Sequence, residues 1–251
     1  MAGDLPAHFN RRDSMKSIVN PIDYARKAVE EYKSLYGKDL VSVILYGSAA
    51  GGDFDPQKSD INLLIVLTSL DLDLISRSAD IQIKLFQKRF SKPLFMDKVY
   101  IASSSDSYPM EFLDMKEHYV VLAGEDVLAS VSPGIEHLRL QVERELKGKW
   151  LHLLDEYTFA CKNNKQLAQL TEISLRAFAP VFRALLKLKN VEIPVNRKDL
   201  FNAVESAYSV TGKPFQTMEE ICKSGNFTEL KKRFTEYSKA VKTLIDAIEN
   251  N

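Results

Sequence analysis

Residues 45–67 read LYGSAAGGDFDPQKSDINLLIVL. The apolar, β-branched run VSVILYG (41–47) ends at Gly47 and predicts a buried strand. Ala49 and Ala50 then begin a short helix. Backbone N–H groups at such a start are free to hold an anion, a glycine lets a phosphate approach closely, and the Ser48 hydroxyl adds a donor. A loop rich in Gly, Asp and Pro follows. INLLIVL (61–67) predicts a second buried strand, opened by Asp60. Side chains alternate along a strand, so Asp60 and Asn62 share a face. A phosphate cradle beside paired oxygen ligands is the arrangement a magnesium–nucleotide site requires.

Upstream, residues 1–20 show no strong period and are expected to form a tail. Pro21 opens a helical pattern in which Tyr24, Ala25, Ala28, Val29, Tyr32 and Leu35 recur at helical spacing, and Gly37 stops it. Downstream, residues 72–91 are helix-compatible, and KVYIA (98–102) and MEFLDM (110–115) read as two further short strands. After Pro133 the pattern turns to long amphipathic helices over 135–162 and 165–190, shorter ones at 197–209 and 216–223, and a last one at 227–249. The expected fold class is α+β. A tail (1–20) precedes a domain with a small mixed sheet flanked by helices (21–130), and an all-helical bundle (134–251) follows, with the boundary between Glu125 and Gly134.

Composition narrows the function classes. The chain has 251 residues, 45% hydrophobic and 27% charged, enough to bury a core unaided. Lys plus Arg and Asp plus Glu both number 34, so no bulk charge draws the chain to nucleic acid. Cys161 and Cys222 lie in no CxxC or Cys/His cluster, which disfavours zinc and fits a reducing cytoplasm. The polar start lacks the apolar segment of a signal peptide, and no apolar run reaches membrane-spanning length. None of the four histidines lies at metal-ligand spacing with another, and neither GxSxG nor a Walker A sequence is present. Trp150, with Leu146, Leu153 and Leu154, reads as core or domain interface.

The combination in residues 45–67, an apolar strand, Gly-Ser, a loop, and Asp-x-Asn on a second apolar strand, resembles the nucleotidyltransferase superfamily. That superfamily includes DNA polymerase β and the aminoglycoside adenylyltransferases, and LYGSAAGG…SDINLL looks most like the streptomycin/spectinomycin type. The resemblance implies that Gly47, Ser48 and Ser59 hold the phosphates of ATP or another nucleoside triphosphate. It implies that Asp60 and Asn62 ligate Mg2+. The family also expects a third carboxylate on a later strand. MEFLDM offers Glu111 and Asp114, and the order of residues in family strands selects Glu111, as general base toward a hydroxyl acceptor. One departure stands out: the family has Asp where this chain has Asn62. An amide ligates one cation through its carbonyl but brings no charge and bridges poorly, so the expected consequence is weaker magnesium binding, or a single ion arriving with the nucleotide in place of two. Asp53 or Asp55 in the loop is a candidate replacement carboxylate, and Lys58 a candidate phosphate contact.

In the resembled enzymes the acceptor lies in a cleft beside the helical domain, where acids bind cationic sugars; Asp155 and Glu156 are candidate counterparts. That domain also contributes a basic residue and a tyrosine to the nucleotide, here Lys198 and Tyr208. Arg183, Lys187 and Lys189 form a further basic helical stretch. Two functions follow. One is an enzyme that transfers a nucleoside monophosphate, AMP from ATP, to a hydroxyl of a small molecule or protein. The other is a nucleotide-binding pseudoenzyme or regulatory protein weakened in metal catalysis by Asn62. An exposed apolar helical face would serve a homodimer.

Overall fold

The structure, a computed structural model, describes residues 18–51, 54–57 and 59–249. Ile18 is already in the core: it is buried, and its N–H donates to the Pro56 carbonyl at 3.2 Å. Residues 18–20 thus belong to the folded unit, and residues 1–17 of the expected tail lie outside the described residues. Helix α1 is Pro21–Tyr36. Asn20 caps it by accepting from the Asp23 N–H, and proline sits in the first turn, where no N–H is needed. Ala25, Ala28, Val29, Tyr32 and Tyr36 form its buried face.

Strand β1 (Leu40–Tyr46), helix α2 (Ser48–Gly51) and strand β2 (Asn62–Leu67) follow where the sequence predicts them. Helices α3 (Leu72–Ser76) and α4 (Ala79–Phe86) come next. Two expected strands are then helices. Residues 98–102 fall in α5 (Lys98–Ser104), and residues 110–115 fall in α6 (Pro109–Glu117). The sheet is completed instead by β3 (Leu94–Asp97) and β4 (Tyr119–Gly124).

The physical reasons are local. The Asp97 carboxylate accepts from the Tyr100 N–H at 2.7 Å, an N-cap that starts α5 despite its β-branched and aromatic residues. Val99 and Tyr100 are left exposed while Ile101 turns inward. In α6, Pro109 occupies the first position, and Phe112 and Met115 are buried together at i, i+3 spacing. On a strand these two residues would face opposite sides; on a helix they share one.

The strand order is β3-β2-β1-β4, with β2 and β4 antiparallel to β1 and β3 parallel to β2. Val43, Leu45, Leu63, Ile65 and Leu67 pack toward α1 on one face. Ile44, Leu64 and Val66 meet Ile101, Phe112 and Met115 on the other. Covering on both faces is why β1 and β2 read as unbroken apolar runs rather than alternating ones.

The chain divides into two compact units. The first runs to Ser105 and resumes over Glu111–Ser132; the second comprises Asp106–Met110 and the chain from Pro133. The Gln141 side-chain oxygen accepts from the Met110 N–H at 2.9 Å and ties that short piece into the second unit. The second unit is helical: α7 (Ile135–Ala160), α8 (Asn164–Leu188), α9 (Arg197–Ala207), α10 (Pro214–Ser224) and α11 (Leu230–Glu249). Phe178, Phe182, Phe201, Phe215 and Tyr237 form its aromatic centre, with ring centroids 4.7–6.5 Å apart. Such pairs each add about 0.5–1.5 kcal/mol beyond the area they bury. Among the described residues no helix is long and apolar enough to cross a membrane.

Candidate functional site

Because β1 and β2 run antiparallel, the end of one meets the start of the other. Tyr46 pairs with Asn62 on one side and with Tyr119 on the other, so Tyr119, Tyr46 and Asn62 form one row across the sheet and share a face. Gly47 follows directly. Its φ of +74° is a conformation that L side chains rarely adopt, and a Cβ there would lie 3.3 Å from Asn62 Nδ2. The Gly47 N–H donates to the His118 carbonyl, and its own carbonyl accepts from the Ala50 and Gly51 N–H groups at 2.9 and 3.1 Å. Ser48, half-buried, opens α2. His118 packs against the same turn: a Cβ on Gly51 would meet its ring at 2.5 Å.

Asp60 enters β2 from a tightly held loop and is exposed. Ile61 bridges to Phe90, with Ile61 N–H on the Arg89 carbonyl and Ser91 N–H on the Ile61 carbonyl, each 2.9 Å. Ile61 is buried among the residues packed on α1, so alternation turns Asp60 and Asn62 to the other face. Ser59 acts as a loop closure: its hydroxyl accepts from the Asp55 N–H at 2.9 Å and its N–H donates to the Asp55 carbonyl at 3.0 Å. The Asp55 carboxylate accepts from the Gln57 N–H at 2.8 Å, which makes Asp55 a turn residue. Asp53 and Lys58 lie outside the described residues.

Arg89 organises this loop, and the sequence reading passed over it. It is buried, and its guanidinium donates to the carbonyls of Pro56 (2.6 Å), Asp55 (3.4 Å) and Ser59. The guanidinium also lies 5.9 Å from the centre of the Phe54 ring. No local motif announces this role, because the arginine and its acceptors meet only when Phe90 bridges to Ile61. Ser91 was missed for the same reason. Its hydroxyl donates to Asn62 Oδ1 at 2.7 Å, a contact set by the neighbouring bridge of Ile61 to Phe90.

The Glu111 assignment changes footing. It rested on a strand, and Glu111 is instead an exposed residue in the first turn of α6. Asp114, one turn later on the same helix, is exposed as well. Burial pushes the Tyr46 phenol up to about 12, and the Asp114 charge adds to the shift. Ahead of β3, the isolated Ile61–Phe90 bridge brings Ser91, not a carboxylate, to Asn62, and Asp97 pairs at the far end of β3 with Leu67.

In the second unit Lys198 is exposed on α9. Tyr208 is buried at the end of that helix, and its hydroxyl donates to the Leu185 carbonyl at 3.0 Å. Burial raises the phenol to about 12, and Lys189 Nζ lies 5.4 Å from the ring centre. Tyr208 therefore holds α8 to α9, and its hydroxyl is already engaged. Asp155 and Glu156 are exposed on α7, Lys187 and Lys189 are exposed near the end of α8, and Arg183 is half-buried in that helix. Trp150 is half-buried on α7, with Lys242 Nζ of α11 6.0 Å from its ring centre.

The donor set does not fit a two-metal centre. Residues 60–62 supply one carboxylate, Asp60, and the neutral amide oxygen beside it already accepts one hydrogen bond, from Ser91. Among the described residues no three His, Cys, Asp or Glu side chains come together in a metal-holding group. No protein-family model matches the chain, and no curated protein matches it.

Proposed function

We propose that the first unit binds a nucleoside triphosphate, ATP in the first instance, and transfers AMP to a hydroxyl of a small molecule or protein. The observation that supports this most is the meeting of the Gly47–Ser48 turn with the strand bearing Asp60 and Asn62 at one end of the sheet. Gly47 admits a phosphate because it carries no side chain, and Ser48 offers a hydroxyl beside it. Transfer forms a bond between the acceptor oxygen and the α-phosphorus and breaks the α-phosphorus bond to pyrophosphate. The hydroxyl proton passes to a carboxylate. The resemblance gives that role to Glu111, with Asp114 on the next turn of α6 as the other carboxylate there. Two free cysteines, Cys161 and Cys222, accord with a reducing compartment.

A second reading, nucleotide binding without transfer, is favoured by the engagement of the Asn62 oxygen with Ser91. ATP labelled at the α-phosphate, incubated with the protein and a panel of hydroxylated acceptors, separates the two. Labelled acceptor with released pyrophosphate, lost in Asp60→Ala, is the result expected for transfer. Bound ATP that yields no labelled product with any acceptor selects the second reading. Absence of ATP binding rejects both.

A further inference from the structure

We propose that Asn62 is an anion donor oriented by Ser91, so that the Gly47 turn holds the phosphates of a nucleotide without a magnesium ion on Asn62. The inference rests on the nucleotide reading above and assigns that site a different chemistry. Ser91 Oγ has one proton and two acceptors in range, Asn62 Oδ1 at 2.7 Å and the Ile61 carbonyl at 3.3 Å. The shorter contact takes the proton. An amide whose oxygen is engaged in this way presents its NH2 group on the other side. Nδ2 is the atom that stands 3.3 Å from the Cβ position of Gly47.

A magnesium ligand must offer an oxygen, and an N–H faces a cation with the wrong sign of charge. A phosphate oxygen accepts from that same N–H, and the bond is strengthened by the phosphate charge. The surroundings agree. His118, another side chain able to donate, packs on the Gly51 end of the same turn. Ser48 opens that turn. Asp60 is the one carboxylate in residues 60–67, and it is exposed. Ser91 owes its place to the pairing of Ile61 with Phe90, so the amide orientation is built into the sheet rather than into a flexible side chain.

The test is calorimetric titration of the whole chain with α,β-methylene ATP and, separately, inorganic tripolyphosphate, each in EDTA and in magnesium. Wild type is expected to bind in EDTA within about twofold of its affinity in magnesium. Asn62→Asp, which places a carboxylate against the phosphates, is expected to lose about tenfold or more in EDTA and to recover with magnesium. Ser91→Ala frees the amide to turn and is expected to bind about three- to tenfold more weakly in EDTA, with an unchanged circular dichroism spectrum and unfolding midpoint. Wild-type binding at least about tenfold tighter in magnesium than in EDTA overturns the inference and leaves the nucleotide reading standing. Equal affinity of wild type and Asn62→Asp in EDTA also overturns it. Binding of tripolyphosphate but not of the ATP analogue supports the anion donor and overturns the nucleotide reading. Binding of neither, by folded protein, overturns both.

Discussion

Replacing Arg89 separates two contributions to the loop that presents Asp60. The guanidinium donates to the Pro56, Ser59 and Asp55 carbonyls. A hydrogen bond from a charged group contributes about 1.5 kcal/mol at the low end. The bonds to Pro56 and Ser59 therefore total about 3 kcal/mol, and the third, at 3.4 Å, adds little. The backbone works the other way. Arg89 sits at φ +65°, a left-handed conformation that costs a residue with a side chain about 1 kcal/mol after allowing for the greater chain entropy of glycine. Arg89→Ala should thus weaken the loop by about 3 kcal/mol, and Arg89→Gly by about 2 kcal/mol. The sole tryptophan, Trp150, reports on the second unit, so amide hydrogen exchange is the suitable assay. The Ile61 N–H, bonded to the Arg89 carbonyl, and the Ser59 N–H, bonded to the Asp55 carbonyl, are the reporters. Their exchange should quicken by about a hundredfold in Arg89→Ala and less in Arg89→Gly. Wild-type exchange rates in Arg89→Ala, or a glycine variant opening more readily than the alanine variant, would refute the reasoning.

Two further predictions concern the helical unit. Glu219 is buried; burial acts to raise its carboxyl, but Arg197 and Lys223 override it and hold the group below its ordinary value. That stabilisation is present above the ordinary carboxyl range and is lost as pH falls through the lowered value. Arg197→Ala should cost about 2 kcal/mol at neutral pH, discounted from a fully buried pair because the Arg197 side chain is 33% exposed, and thermal unfolding at pH 7 and at about pH 3 should show the deficit shrinking in acid. Glu205 shows the opposite sign. Burial raises its carboxyl, against the Phe215 N–H and Gln216 that favour the charged form, so its contribution holds below the ordinary value and is lost as pH rises through the raised one. Glu205→Gln, whose amide oxygen still accepts from Phe215, should match wild type near pH 4 and exceed it at pH 7; a variant less stable than wild type at pH 7 would contradict this.

The sequence by itself determined the elements whose information is local. The capped and proline-started α1, the two apolar strands β1 and β2, the Gly47–Ser48 turn and the long helices of the second unit each carry their own period or punctuation. It also put Asp60 and Asn62 on one strand face and expected them beside the Gly47–Ser48 turn, and the antiparallel pairing of β1 with β2 in the structure brings that strand to the turn. It misread residues 98–102 and 110–115, where β-branched and aromatic composition suggested strands. A carboxylate cap at Asp97 and the paired burial of Phe112 with Met115 decided for helices instead. Only the tertiary structure supplied Ser91, Arg89 and His118 to the site. Ser91 and Arg89 arrive through the isolated bridge of Phe90 to Ile61, and His118 through the pairing of β4 with β1. Pairing between distant segments is a property of the closed sheet, and no local spacing encodes it. The same long-range packing set the partner of Tyr208, whose helical spacing says nothing of the Leu185 carbonyl that its hydroxyl meets only when α8 and α9 come together.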